Sequence, residues 1–338
     1  MQSQELKNLA RELKLNLSRL MDKRSTWESH WQEVADFVVP RKADVTKSRS
    51  SGDKRSELVF DGTAIHAAEL LSASLHGMLT SAATSWFSLR YRDEELNSDD
   101  EAMEWLQGVE DVMYKAFNRS NFQEQIHELY HDLITFGTGV MFIDKDDGQQ
   151  LRFSTRHIKE CYLSEDDKGR VDTIYREFKM PLRAAQKRFG EEKFTSKVLQ
   201  KAQNNPYAQI TLVHAVYERD DRDPIKITSE NKPFASIYIE PEEKIVLSES
   251  GFDENPYTCP RFLKSSFEIG YGRSPSMTAL ADIKMLNKMC ETTIRAAQKQ
   301  VDPPLLVPDD GFLLPVRTIP GGLNYYRSGT RDRIEPLN

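Results

Sequence analysis

The clearest periodicity of hydrophobic and polar positions lies between residues 275 and 301. Ser274 and Pro275 suit a helix N-terminus, no glycine or proline follows until 303, and Pro303-Pro304 would end the helix. Apolar residues recur at steps of three or four and trace one helical face: Leu280, Ile283, Leu286, Cys290, Ile294 and Ala297. Charged residues occupy the remaining surface: Asp282, Lys284, Lys288, Glu291, Arg295 and Lys299. The pattern predicts a helix about 40 Å long. Periodicity alone favours an ordinary long helix of a large α+β domain.

The N-terminal part of the chain is also helical in pattern. The predicted helices cover residues 3–38 (in two pieces), 60–80, 99–117 and 122–135. Asp99 is a good N-cap for the third, and Gly137 follows the last at a position where helices commonly end in glycine. Residues 41–56 are rich in Ser, Lys and Arg. We interpret them as a solvated loop rather than as a basic arm that touches DNA.

The pattern changes to short alternating runs after residue 140. They predict strands at residues 140–143, 162–163, 173–178, 210–217, 235–239, 244–247 and 261–267, in addition to a short strand at 86–89. A short helix is expected at 181–189. Prolines and glycines divide 305–326 into short extended pieces. The fold class predicted from the whole chain is α+β.

Composition narrows the possible functions. The net charge of 338 residues is −7, whereas proteins that read DNA sequence use a basic face to displace counterions from phosphates. The three cysteines have no metal-binding spacing and no disulfide framework, which suits a reducing compartment. No apolar run approaches the length of a membrane span. We therefore expect a soluble protein without a cofactor.

One motif points to an enzyme. His127-Glu128-Leu129-Tyr130-His131 has the form His-Glu-x-x-His, which on a helix places two imidazoles one turn apart for zinc, with Glu128 as general base. This zinc metalloprotease is the alternative hypothesis. A third ligand is needed, and the next acidic candidates, Glu160 and Glu165, lie among predicted strands. No Gly-x-x-x-x-Gly-Lys-Ser/Thr loop is present, so the sequence contains no ATP-driven motor.

Several segments resemble one known family. Tyr271-Gly272-Arg273-Ser274-Pro275, the helix with Asp282-Ile283 and Leu286-Asn287, and the closing Pro-Pro are similar to the stem segment of phage portal proteins. Residues 60–89 and the turn and strand at 137–144 resemble the wing of the same family, in the same order. By this resemblance the chain is identified as a portal protein, or head-to-tail connector, of short-tailed phages. The assignment implies a binding and conduit role and no catalysis.

The resemblance implies a division of the chain and a set of partners. Residues 1–268 would be the wing (helical over 1–136, β-rich over 137–268), 270–301 the stem helix, and 302–338 a small β-rich clip. Portal subunits form a ring, usually of twelve, at one capsid vertex of the virion, and are assembled in the host cytoplasm. The implied partners are other copies of the chain, the terminase large subunit, tail or adaptor proteins, major capsid and scaffolding proteins, and double-stranded DNA passing through without sequence-specific binding.

The same resemblance implies roles for three groups of residues. The charged positions of the stem helix named above would line the DNA tunnel, and its apolar positions would pack subunits together. Docking of terminase and tail would use the clip residues Asp309, Asp310, Phe312, Arg317, Tyr325 and Tyr326. Twelve helices about 9 Å apart enclose a bore of about 24 Å, slightly wider than duplex DNA. Family members continue past the clip with a second stem helix, so we expect the portal fold to be C-terminally incomplete in this chain.

Overall fold

The computed structural model describes residues 4–50, 52–145, 148, 151–220, 222–223, 225–226, 228–301, 305–306 and 335–336. The chain divides into two compact units, Met1–Ala281 and Asp282–Asn338. The helices are α1 (Gln4–Val38), α2 (Thr63–Leu79), α3 (Asp100–Arg119), α4 (Phe122–Phe136), α5 (Leu182–Phe189), α6 (Ser196–Asn204) and α7 (Pro275–Val301). Within these ranges no helix has the length and apolar character to cross a membrane.

The strands complete a mixed helix-and-sheet fold, as the sequence predicts. They are β1 (Met141–Lys145), β2 (Leu151–Thr155), β3 (Cys161–Glu165), β4 (Val171–Pro181), β5 (Gln209–Glu218), β6 (Phe234–Glu240), β7 (Ile245–Phe252), β8 (Tyr257–Thr258), β9 (Leu305–Leu306) and β10 (Glu335–Pro336). Strands β9 and β10 pair antiparallel. The six predicted docking residues between them, Asp309, Asp310, Phe312, Arg317, Tyr325 and Tyr326, lie outside the described residues.

Helix α1 is continuous over 35 residues, so the predicted division into two pieces is wrong. Arg24, in the middle of α1, is buried on the packed face of the helix. Its guanidinium donates hydrogen bonds to the main-chain carbonyls of residues 158, 159 and 161 at 2.9–3.0 Å, and it pairs with Glu28 at 2.6 Å. A buried charge is tolerated only when its hydrogen bonds are made. The polar position therefore belongs to the packing of α1 rather than to a gap in it.

A five-stranded antiparallel sheet, in the order β3-β4-β5-β6-β7, forms the centre of the larger unit. Neighbouring residues of β5 point to opposite faces, as in any strand. Val213 packs with Leu13 and Leu17 of α1, whereas Leu212 packs with Leu182 of α5 and Val198 of α6. The sheet is thus covered by helices on both faces. Helix α6 was not predicted from the sequence.

A smaller sheet, in the order β2-β1-β8, packs against α4 through an aromatic cluster around Phe122 and Phe153. The strand predicted at 86–89 is wrong. That segment has no regular secondary structure and is held by α3, where the Tyr114 hydroxyl accepts hydrogen bonds from the amides of Trp86 and Phe87 at 2.7 Å. The strand predicted at 261–267 is also wrong, since only isolated bridges form at Arg261 and Leu263.

Candidate stem helix and its anchorage

Ser274 fixes the first turn of α7 and joins it to the end of α4. Its Oγ accepts a hydrogen bond from the Met277 amide at 2.9 Å and donates one to the Thr135 carbonyl at 2.8 Å. The first contact is the predicted N-cap, which satisfies one of the free amides of a helix start. The second satisfies a carbonyl in the last turn of α4. Both contacts are buried, so one hydroxyl serves the termini of two helices.

Two glycines let the main chains of these helix ends approach each other. Gly137 ends α4 in the left-handed region, with φ at 78°, and its amide donates to the Leu133 carbonyl at 3.0 Å. A Cβ on Gly137 would collide with the Gly272 carbonyl. The Gly272 amide donates to Thr138 Oγ1 at 2.9 Å. The sequence predicts Gly137 as a helix end, but no local sequence pattern indicates its closeness to Gly272.

Tyr271 brings α1 and β3 to the same point. Its ring lies 5.0 Å from that of Trp31 and 5.9 Å from that of Trp27, measured between centroids. Its hydroxyl accepts a hydrogen bond from the Leu163 amide at 3.1 Å, and the indole of Trp31 donates to the Phe136 carbonyl at 3.1 Å. The root of α7 is therefore held by α1, α4 and β3 together.

The charged residues predicted to line a tunnel fall into two groups on α7. Helical geometry, at about 100° per residue, puts five of them within one sector of about 80°: Lys284, Lys288, Glu291, Arg295 and Lys299. Asp282 lies well outside that sector. Glu291 pairs with Lys288 at 3.0 Å and with Arg295 at 2.6 Å. The hydrogen bond from Lys288 and the charge of Arg295 lower the pKa of Glu291. This face is a partly neutralised basic stripe.

The predicted packing residues of α7 differ in exposure along the helix. Leu280 is buried and Ile283 and Cys290 are half-buried, whereas Leu286, Ile294 and Ala297 are exposed. Met285 and Met289, which were not predicted to have a role, are 60% and 59% exposed and lie about 40° apart on a different side of the helix. Their spacing of four residues is the signal that could have identified them.

The His-Glu-x-x-His motif of α4 is engaged in structural contacts. Arg41 binds Glu128 with two hydrogen bonds of 2.9 Å, and the Lys42 ammonium lies 2.5 Å from the same carboxylate. Burial alone would raise the pKa of Glu128, but these hydrogen bonds and charges lower it to about 2. Burial, with the charges of Arg41 and Lys42, lowers the pKa of His131 to about 4. The ring of His127 packs edge-on against His76 at 5.7 Å.

Neither predicted third ligand is available to a metal. Glu160 pairs with Arg176 at 2.9 Å, and Glu165 pairs with Arg261 and Lys264. Among the described residues, no group of three or more His, Cys, Asp or Glu side chains is arranged to hold an ion. The zinc protease hypothesis therefore has no structural support.

Comparison with known proteins agrees with the resemblance. The family described as "Bacteriophage head to tail connecting protein" matches residues 10–338. The "Probable portal protein" of Bordetella phage BPP-1 is 33% identical over 321 residues, which cover 93% of this chain and 58% of that protein. The "Portal protein" of Salmonella phage epsilon15 is 31% identical over 313 residues, 91% of this chain and 56% of that protein. The chain thus spans somewhat more than half the length of these relatives. The predicted family is confirmed: this chain belongs to the bacteriophage head-to-tail connecting proteins.

Proposed function

We propose that the chain is a portal subunit that forms a ring, of twelve copies, around a channel for double-stranded DNA at one capsid vertex. The observation that carries the proposal is α7, a helix of 27 residues whose root is fixed by Ser274, Gly272 and Tyr271. Beyond that root, most of its side chains are exposed. An exposed helix of about 40 Å, rigid at one end, has the dimensions of a channel wall element.

The two sides of α7 support different roles in such a ring. The stripe from Lys284 to Lys299 would face the channel, where Glu291 partly neutralises Lys288 and Arg295. Exposed charges interact weakly through water and salt, so the stripe would meet passing phosphates without retaining them. Asp282, outside this stripe, would lie nearer the subunit contact. The apolar residues Ile283, Leu286, Cys290 and Ile294, with Ala297 at the far end, would pack between subunits, whereas Leu280 is already buried within the subunit.

The remaining roles follow from the family. Residues 1–268 would form the wing, 270–301 the stem and 302–338 the clip, which would dock the terminase large subunit and the tail or adaptor proteins. The ring would also contact major capsid and scaffolding proteins. The subunit would be made in the host cytoplasm and end in the virion. We propose no cofactor and no catalytic step.

The tunnel assignment is tested by reversing charge on the stripe. Lys288→Glu with Arg295→Glu, introduced into a phage that carries the full gene, should leave capsid assembly intact and reduce the DNA content of the particles. The matched control is Lys7→Glu with Arg11→Glu, an equal charge change on exposed positions of α1. DNA content is measured by gel quantification of purified particles, and ring formation by negative-stain microscopy. Equal DNA content in both double variants would contradict a channel role for the stripe.

A further inference from the structure

Helix α2 packs into the larger unit by one face only. Ala68 and Ser72 are buried, and the Ser72 hydroxyl donates to the His127 carbonyl of α4 at 3.3 Å. His76, four residues further along the same face, packs its ring on His127 and Tyr130. These contacts fix which side of α2 faces the protein. The opposite side, about 170° around the helix, is turned outward.

The outward side of α2 has no charged side chain between residues 63 and 78. It consists of Thr63, Ala67, Leu70, Leu71, Ser74, Gly77 and Met78. Leu70 is 59% exposed and Met78 is 81% exposed. Steps of three and four from Ala67 through Leu70 and Ser74 to Gly77 give the narrow seam typical of helix-to-helix packing. Alanine, serine and glycine along that seam would let a second helix approach closely.

Helix α3 carries a second uncovered stripe. Its packed side is fixed by Glu110, Tyr114 and Phe117, which bind or contact the segment at 86–89. About 130° around the helix a further apolar row runs at steps of three, four, three and four: Ala102, Trp105, Val109, Val112 and Ala116. Trp105 is 64% exposed and Val112 is 65% exposed. A helix with two apolar sides normally covers both.

We infer that the outward face of α2 in one subunit receives the Trp105–Val112 stripe of α3 in the neighbouring subunit. This inference rests on the proposed ring. Trp105 and Val112 stand seven residues apart, as do the small residues Ala67 and Ser74. The bulky side chains on α3 therefore repeat along the helix axis at the same distance, about 10.5 Å, as the small side chains on α2. A two-fold contact between like faces would instead place Trp105 against Trp105 and leave small residues against small residues.

The occupant of each face is a second copy of the chain. Both faces belong to the same compact unit, and both are exposed there, so they do not cover each other within one subunit. When each subunit uses one face toward one neighbour and the other face toward the next, the contact is head-to-tail, and it closes into a ring when the rotation per subunit divides the circle. Two unlike uncovered faces on one chain are what such a ring requires.

Cysteine cross-linking tests the pairing directly. Ala67→Cys and Val112→Cys are made separately and together in the full chain, which is then treated with a short bismaleimide linker and run on a denaturing gel. Each single variant alone should give no covalent dimer above the wild-type background from native cysteines. A mixture of the two should give dimers and nothing larger, and the double variant should give a ladder.

The outcomes separate this inference from the proposed function. Efficient dimers from Ala67→Cys alone would show a two-fold contact and overturn the inference. Wild-type rings without any α2–α3 cross-link would overturn the inference and leave the ring intact, with another component as the occupant of these faces. A wild-type chain that stays monomeric at every concentration would overturn both.

A second variant pair measures the energetic weight of the contact. Trp105→Asp should raise the concentration for half-maximal assembly at least tenfold in sedimentation velocity. Leu15→Asp is the matched control, because Leu15 is likewise an exposed apolar residue on a helix, in α1, outside both faces. Circular dichroism must show both variants folded. An equal effect of the two substitutions would contradict the α3 stripe as an interface.

Discussion

Replacing Ser274 by alanine is expected to weaken two helix ends at once. The substitution removes the cap on the Met277 amide, which typically costs about 1 kcal/mol. It also leaves the buried Thr135 carbonyl without its donor, and an unpaired buried polar group costs about 1–3 kcal/mol. The free energy of local unfolding at the root of α7 should therefore fall by about 2–4 kcal/mol.

The two contributions can be separated by a second substitution. Glycine at an N-cap position costs only a few tenths of a kcal/mol relative to serine. Ser274→Gly also removes the hydroxyl, but it should cost little at the helix start while it still leaves the Thr135 carbonyl unpaired. The control is Ser56→Ala, at an exposed position outside any helix or strand.

Amide hydrogen exchange read by mass spectrometry is the direct assay. Peptides covering residues 274–280 and the last turn of α4 should exchange about 30- to 700-fold faster in Ser274→Ala, since each 1.4 kcal/mol is a factor of ten. Ser56→Ala should exchange like the wild type. A change below about fivefold in both peptides would refute the view that Ser274 links α4 to α7.

Three further predictions concern the larger unit. Gly137→Ala should destabilise the larger unit by more than 1 kcal/mol in urea unfolding, because φ is +78° and the Gly272 carbonyl blocks a side chain. The control Gly108→Ala, at a position in α3 with open space around it, should stabilise the unit by about 0.5–1 kcal/mol. Burial lowers the pKa of His214 from 6.5 to about 3, so as the pH falls the imidazole is protonated in the unfolded chain before it is protonated in the folded one. His214 should therefore lower the free energy of unfolding by up to about 1.4 kcal/mol per pH unit below pH 6.5. An equal pH slope in His214→Gln would contradict the lowered pKa of His214. Glu128→Gln should lower the melting temperature and leave the zinc content substoichiometric by elemental analysis, so stoichiometric zinc in the wild type that is coupled to peptide hydrolysis would restore the protease hypothesis.

Local patterns predicted the parts of the fold whose causes are local. The spacing of apolar residues gave the extent of α7, and Ser274 and Asp99 cap α7 and α3 as expected. The hydroxyl of Ser274 also binds Thr135, which is 139 residues away, and no pattern around residue 274 encodes that partner. The same holds for Gly137 and Gly272. Each glycine alone has the sequence signature of an ordinary turn. Only the fold shows that the close approach of the two main chains requires glycine at position 137.

The errors have the same origin. Trp86-Phe87-Ser88-Leu89 has the composition of a strand, but its amides donate hydrogen bonds to Tyr114 and Glu110 of α3 instead of to a neighbouring strand. The His-Glu-x-x-His spacing is correct for zinc, yet Arg41 and Lys42 occupy the carboxylate that would act as base. In both cases a residue distant in sequence supplied the partner. Contacts of this kind depend on the tertiary structure, and they leave no periodic pattern in the sequence.

The meeting of Trp31 with Tyr271 has a consequence for synthesis on the ribosome. The indole of Trp31 donates to the carbonyl of residue 136, and its ring packs on a tyrosine 240 positions later in the chain. At 5–20 residues per second, a translating ribosome needs roughly 10–50 s to make that stretch. During this interval the aromatic end of α1 has emerged without its final neighbour. The nascent chain is thus expected to expose apolar surface that chaperones can bind for tens of seconds, until the root of α7 leaves the exit tunnel.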